Sequence, residues 1–190
     1  MKILISSCIL NLPTRYDGRA ARYNGGYNGN KQLIQILKEK KIEFIPLCSE
    51  QLGGLCTPRE PQEIESGKTA TDVIDGNAKV LTESGRDITE SFLKGANIIL
   101  NFCKEFNLET AILEERSPSC GVTKIYSGKF DGKLRKGRGV LTELLTQNGI
   151  KVFTIEEFLK ENDLWDGNNR YFTLLHILQI LQYIVFSGNY

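Results

Sequence analysis

The chain has very little histidine: a single residue, His176, occurs among 190. It also lacks Cys-x-x-Cys pairs and the G-x-G-x-x-G and G-x-x-x-x-G-K-[ST] patterns that bind nucleotide phosphates. A phosphate-binding loop of a known type is therefore excluded. Because no acidic residue neighbours His176 in the sequence, we expect a packed or surface histidine rather than a catalytic base.

Neither sign of charge is in excess. The chain carries 24 Lys+Arg against 23 Asp+Glu, for a net charge of +1. Such a chain has no general attraction for nucleic acid. The segment from Lys124 to Arg138 is locally basic, with six basic residues and one acidic residue. A solvated loop face is the favoured interpretation, and tRNA stays open as a less favoured partner.

No membrane span is predicted. The apolar segment from Tyr171 to Phe186 has sixteen residues with polar interruptions, whereas a spanning helix needs about 20. We expect it to dock as a helix or to pair two copies as a homodimer. The chain start offers no signal-peptide core, and five cysteines is an odd number, so we expect a reducing, cytoplasmic location without a disulfide framework.

Helical and extended patterns alternate along the chain. Apolar runs predict strands at 2–7, 43–47, 110–113 and 151–154, and periodic patterns predict helices at 31–40, 90–106 and 137–148. The remaining segments are less regular: we predict a Gly- and Asn-rich loop at 17–30, an irregular region at 51–61 and an extended piece at 78–82. We also predict that Thr89 caps the helix at 90–106 and that a hairpin follows Cys120. Because parallel strands need crossover connections, this order predicts a three-layer α/β/α domain with a mainly parallel, Rossmann-like sheet.

Three of the five cysteines, Cys8, Cys48 and Cys120, follow predicted strands. Ligands of open parallel sheets bind at the carboxyl ends of the strands, so these thiols can converge on a metal, a cluster or thiol chemistry. Cys103 falls on the apolar stripe of the long helix and is expected in the core, while Cys56 is kept as a candidate ligand. A zinc site lacks an obvious fourth ligand. Three thiolates fit a [4Fe-4S] cluster with one open iron, which can act as a Lewis acid.

Polar residues accompany two of these thiols. Glu50 stands two residues after Cys48, and the segment Ser117-Pro118-Ser119-Cys120-Gly121 places hydroxyls and conformationally special residues around Cys120. These features favour a site at the mouth of the sheet, with an ordinary strand-to-loop turn as the alternative.

Seven motifs occur in order along the chain: SSCIL at 6–10, RYDG at 15–18, LCSEQLGGL at 47–55, TPREP at 57–61, GRDITE at 85–90, LEERSPSCG at 113–121 and IYSGKFDGKLRKGRGV at 125–140. Together they resemble the DUF523 family, whose best understood members are the thiouracil desulfidases. The resemblance covers roughly residues 1–160. It predicts one α/β domain there and leaves 161–190 as an apolar helical tail.

The resemblance implies both a cofactor and a reaction. It implies a [4Fe-4S] cluster held by Cys8, Cys48 and Cys120, whose open iron takes the sulfur of 2-thiouracil while water replaces that sulfur without net redox change. It further implies that Glu50 moves protons and that Ser117 assists. We therefore predict a cytoplasmic, non-redox desulfidase that acts on a small thiolated pyrimidine or a related thioamide.

Two other functions stay open at this point. One is a cluster- or metal-containing sensor or ligand-binding protein without turnover, and the other is a cluster-free cysteine nucleophile at Cys120. Arg15, Asp17 and Arg59 are candidates for shaping the pocket, with surface or turn roles as equal alternatives.

Overall fold

The computed structural model describes residues 1–21 and 29–162. The strands, in chain order, are β1 (Lys2–Ser6), β2 (Glu43–Leu47), β3 (Gln62–Ile64), β4 (Val80–Thr82), β5 (Thr110–Ile112), β6 (Lys124–Tyr126), β7 (Leu134–Lys136) and β8 (Lys151–Phe153). The helices are α1 (Gly29–Glu39), α2 (Ser49–Leu52), α3 (Ala70–Ile74), α4 (Thr89–Glu105), α5 (Val140–Gln147) and α6 (Ile155–Glu161), and a 3-10 turn covers Ser7–Leu10.

Four parallel strands form the central sheet in the order β2-β1-β5-β8. Ile3 and Ile5 of β1 are fully buried, and Leu4 between them is 1% exposed. A strand buried on both sides is typical of a parallel sheet covered by helices. The structure therefore confirms the predicted α/β class and its parallel sheet.

The chain reverses its direction across the sheet at β1. The crossover through α1 leads from β1 to β2 at one edge, whereas the crossover through α5 leads from β5 to β8 at the other. Because such crossovers are right-handed, α1 covers one face while α4 and α5 cover the opposite face. The carboxyl ends of β1 and β5 therefore flank a topological switch point, where open α/β sheets bind ligands.

Two smaller antiparallel pairs accompany the main sheet. The pair β6 and β7 confirms the predicted hairpin, with Ile125 opposite Arg135. The pair β3 and β4 is a two-stranded ladder that joins Gln62 to Thr82, where the sequence predicts only an extended piece. These three-residue strands are too short to show an alternating pattern.

The start of α4 differs from the prediction. Thr89 is the first helical residue, and the position before it is Ile88, which supplies no side-chain cap. Instead, Asp87 Oδ1 accepts hydrogen bonds from the backbone N–H of Thr89 at 3.0 Å and from its hydroxyl at 2.6 Å. The carboxylate takes the capping role because it accepts a free N–H group of the first turn. Helix α3 was not predicted, although a capping box of Thr69 and Asp72 marks its start.

Contacts divide the chain into one compact unit, 1–155, and a second, 156–190. Of the second unit the structure describes only residues 156–162, which continue α6. The remaining tail with His176, and residues 22–28 of the Gly- and Asn-rich loop, lie outside the described residues, so the tail helix, the homodimer and the boundary at 160 stay predictions. Among the described helices, none combines the length and the apolar character that a membrane crossing requires.

Candidate active site

Three chain segments deliver one thiol each to a single cavity. Cys8 lies in the 3-10 turn after β1, Cys48 is the N-cap of α2 directly after β2, and Cys120 lies in the loop that follows β5. All three line a cavity of about 300 Å³. The structure thus brings the thiols together, as their positions at strand ends predict. A cavity of this volume lies at the lower end of the range for small-molecule sites.

The other two cysteines lie apart from this cavity. Cys103 is 1% exposed in the core on α4, as predicted. Cys56 is exposed, and its thiol donates to the backbone oxygen of Pro58 at 3.4 Å. Cys56 is not among the cavity-lining residues, so the structure gives no support to it as a candidate ligand.

The three cavity thiols are held in a setting that disfavours their ionisation. Burial raises the pKa of Cys8 well above its usual value, and the charges of Glu114, Cys120 and Cys48 raise it further. Burial also raises the pKa of Cys48, and it raises that of Cys120 to about 12. Thiolates crowded into a buried site need added positive charge, which a bound metal supplies. Without it, Cys120 is a weak nucleophile.

Glu50 is held by a buried ion pair with Arg59. The two side chains are 11% and 5% exposed, and Arg59 approaches Glu50 Oε2 through Nε at 2.8 Å and through Nη2 at 2.5 Å. Arg59 also donates to Thr57 Oγ1 and to the backbone oxygens of Cys56 and Thr14. Arg59 therefore joins the loop after α2 and the segment after β1 to the carboxylate.

Ser117 connects Glu50 to the loop that carries Cys120. Its Oγ accepts the backbone N–H groups of Ser119 at 3.1 Å and Cys120 at 3.2 Å. Its hydroxyl donates to Glu50 Oε1 at 3.4 Å. Since Arg59 occupies Oε2 of the same carboxylate, the two oxygens of Glu50 have different partners. Nearby, the buried hydroxyls of Ser49 and Ser119 are 2.8 Å apart, which joins α2 directly to the Cys120 loop.

Glycines allow these segments to approach closely. A Cβ atom on Gly95 of α4 would lie 1.9 Å from the backbone oxygen of Ser49, and one on Gly53 would lie 2.0 Å from that of Ser91. A Cβ on Gly139 would lie 2.3 Å from the backbone oxygen of Ser119. Backbone contact at these points sets the positions of the segments that bear Cys48, Glu50 and Cys120.

The sequence assigns no role to Glu63, Glu114 and Glu115, which the structure places at the cavity. Glu115 accepts the backbone N–H groups of Val122, Thr123 and Lys124 and so fixes the chain after Cys120. Glu63 accepts those of Gly128 at 2.6 Å and Phe130 at 3.2 Å, which ties the hairpin to β3. Glu114 lines the cavity, and burial raises its pKa to about 7. The available signal was the pair Glu114-Glu115 directly after a strand.

Of the three residues predicted to shape the pocket, the structure places two at the cavity and one outside its lining. Arg15 and Arg59 both line the cavity. Asp17 does not, and it lies 3.6 Å from Arg15 Nε as its charge partner.

The fold and the cavity together define an α/β protein whose switch point carries a thiol-lined site with a paired carboxylate and a hydroxyl. Residues 3–157 match the model of the 2-thiouracil desulfurase family, and the chain belongs to that family of enzymes. The resemblance that the seven motifs indicate is thereby confirmed.

Two similar proteins extend this assignment. The chain is 43% identical over 164 residues to the uncharacterised protein YbbK of Bacillus subtilis (strain 168), covering 86% of this chain and 98% of that protein. It is 35% identical to a solved structure described as the [4Fe-4S]-dependent thiouracil desulfidase TudS, with a TM-score of 0.67 over 85% of this chain and 97% of the other.

Proposed function

We propose that this protein removes sulfur from a small thiolated pyrimidine such as 2-thiouracil, using a [4Fe-4S] cluster held by Cys8, Cys48 and Cys120. One observation carries the proposal: thiols from three distant segments line one cavity beside the linked pair Glu50 and Ser117. The family and the described activity of TudS point to the same chemistry.

The donor set suits the cluster. Thiolate sulfur is the usual ligand of iron–sulfur clusters, and three such ligands leave one iron open. Among residues 1–21 and 29–162, no three Cys, His, Asp or Glu side chains form a group that could hold a single metal ion. Three thiols that line one cavity match the three-cysteine ligand set of a cluster with one open iron.

When bound, the cluster would supply a Lewis-acidic iron to the substrate sulfur. The overall reaction exchanges the ring sulfur for the oxygen of water and releases sulfide, so a proton must leave the attacking water. Glu50 Oε1 is the acceptor for that proton, and the hydroxyl of Ser117 orients this oxygen through its hydrogen bond. Arg59 balances the charge of Glu50, and the two backbone N–H groups on Ser117 Oγ orient its O–H toward the carboxylate.

The cluster is tested by iron and acid-labile sulfide content after anaerobic reconstitution. We expect wild type to load fully and to be coloured, and Cys8→Ala, Cys48→Ala and Cys120→Ala each to lose most of the iron. Cys103→Ala and Cys56→Ala are matched controls that should load as wild type does, because neither residue lines the cavity. A colourless wild type without iron would refute the proposal.

Turnover is tested by sulfide release from 2-thiouracil. Glu50→Gln should keep the cluster and lower kcat by about 10²–10⁴-fold, since this is the usual contribution of a general base. Full cluster loading without sulfide release from any thiolated nucleobase would instead indicate a cluster-containing sensor or binding protein.

A further inference from the structure

Arg15 and Glu114 lie on the cavity wall with hydrogen-bonding groups that the described part of the protein does not use. The side chain of Arg15 is 24% exposed and that of Glu114 is 13% exposed. Arg15 Nη1 is 3.8 Å from Glu114 Oε1, and Arg15 Nε is 3.6 Å from Asp17 Oδ1. Both distances exceed those of hydrogen bonds. Within the described residues, no side-chain hydrogen bond reaches the guanidinium of Arg15 or the carboxyl oxygens of Glu114.

Arg59, another arginine of the cavity, differs from Arg15 in its hydrogen bonds. Arg59 directs its donors at Glu50, at Thr57 Oγ1 and at two backbone oxygens, and is therefore a fully used structural group. Among the described residues, the guanidinium of Arg15 faces charges beyond hydrogen-bond distance and the ring of Tyr16, whose centroid is 5.7 Å from its guanidinium carbon. Arg59 and Arg15 thus have different roles in the cavity, which Arg116 also lines, and within the described residues the side-chain donors of Arg15 stay available to another molecule.

Glu114 shows the same lack of compensation. Its backbone N–H donates to Ser6 Oγ at 3.2 Å, which fixes the position of the backbone. The described residues offer no hydrogen bond to its carboxyl group. Burial raises its pKa to about 7, even though Arg15 and Arg116 lower it. Polar groups partly withdrawn from bulk water without a hydrogen-bond partner are unfavourable, so we expect the occupant of the cavity to satisfy them.

We propose that Arg15 and Glu114 recognise the polar edge of the substrate ring, Arg15 donating to the ring carbonyl oxygen and Glu114 accepting the adjacent ring N–H. This inference rests on the proposed function. In 2-thiouracil the N3–H lies next to the C4 carbonyl, so the ring offers a neighbouring donor and acceptor. Glu114 offers the complementary acceptor and Arg15 the complementary donor, and the two groups are 3.8 Å apart on the cavity wall.

The first test measures binding of uracil, which has the same N3–H and C4 carbonyl but no sulfur. Isothermal titration of anaerobically reconstituted protein should show binding that weakens about 10- to 100-fold in Arg15→Met, and about 10-fold in Glu114→Gln, as for hydrogen bonds to charged groups. Arg138→Met is the matched control, because Arg138 is outside the cavity lining and pairs with Glu143 at 3.4 Å. It should bind as wild type does.

The second test compares two substrates. 2-Thiopyrimidine lacks the C4 oxygen, so Arg15→Met should lower kcat/KM for 2-thiouracil, mainly through KM, and leave kcat/KM for 2-thiopyrimidine nearly unchanged. Should Arg15→Met unfold, Arg15→Lys replaces it, since lysine keeps the charge and loses the planar fork. Equal losses for both substrates would overturn the proposal.

The outcomes separate this inference from the proposed function. Absence of sulfide release by cluster-loaded wild type refutes the desulfidase, yet weaker uracil binding in the two variants would still support the recognition pair. Conversely, an active wild type whose uracil affinity and KM are unaffected by both variants refutes the pair alone. A wild type that binds no uracil also overturns it.

Discussion

Replacing Gly95 by alanine tests whether backbone contact between α4 and α2 positions the site. Gly95 lies within α4, and its added Cβ would be 1.9 Å from the backbone oxygen of Ser49, 2.8 Å from the carbonyl carbon of Ser49 and 2.9 Å from the nitrogen of Gly53. All three are backbone atoms and cannot rotate away. To restore an ordinary contact of 3.4 Å, α2 and α4 must separate by about 1.5 Å.

Two effects of opposite sign decide the magnitude. Alanine in place of glycine within a helix normally stabilises by about 0.5–1 kcal/mol through backbone entropy and helix propensity. Overpacking of a close contact costs about 1–3 kcal/mol and occasionally more, and a backbone clash belongs at the upper end. We expect a net loss of about 2 kcal/mol, which lowers Tm by about 4–8 °C in a chain of this size. Because Cys48 and Glu50 move with α2, iron content and turnover should fall as well.

Thermal melts of the reconstituted protein and iron analysis measure the two consequences. Lys94→Ala is the matched control, since Lys94 is the exposed neighbour on the same helix and should change the free energy of unfolding by no more than about 0.5 kcal/mol. A Gly95→Ala protein that melts at or above wild type with full iron content would show that helix propensity dominates. The proposed role of the contact would then be wrong.

Two further predictions concern charged groups. Arg59→Met should lower the free energy of unfolding, measured by urea denaturation, by about 3–5 kcal/mol because it leaves Glu50 buried without its cation. Adding Glu50→Gln should recover part of that loss. A loss below about 1 kcal/mol for Arg59→Met would contradict this reasoning. Asp87→Ala should lower Tm at pH 7, because hydrogen bonds from Thr89 lower the pKa of Asp87 from 3.8 to about 2. That stabilisation is complete above pH 4 and is lost as pH falls toward 2, so melts at pH 7, 4 and 3 should show the difference from wild type shrinking, and a constant difference would be evidence against it.

Much of the main sheet can be predicted from sequence because its strands are locally apolar and alternate with periodic helices. Cys48 is an example, since the run EFIPL ends directly before it and becomes β2. Pairings that depend on short strands cannot be read in this way. The ladder of β3 and β4 has only three residues in each strand, and its partners lie far apart in the chain. The cap of α4 was misplaced because threonine at its start has the right side chain, while the carboxylate two residues earlier makes the bond.

The candidate site also has a part that the sequence predicts and a part that it does not. Residue type and strand ends suffice to select Cys8, Cys48 and Cys120, since topology alone brings strand ends to one edge. Side-chain direction decides the rest. Glu114 and Glu115 are adjacent and chemically alike, yet the carboxylate of Glu114 accepts no hydrogen bond from the described residues while that of Glu115 accepts several backbone N–H groups. No sequence pattern distinguishes them, because the difference comes from the loop path after β5.

The contacts that assemble the site are almost all between distant parts of the chain, and this links cofactor binding to folding. Ser49 meets Ser119, Glu50 meets Ser117, and Gly53 of the α2 segment meets Ser91 of α4. None of these pairs can form before the crossovers around β1 and β5 have placed their segments. An unfolded chain therefore presents separated cysteines rather than a three-thiol site, and a cluster that binds the folded site preferentially must stabilise that fold. The raised pKa values of the buried thiols point the same way, because the folded protein holds three groups that resist ionisation until a cation compensates them.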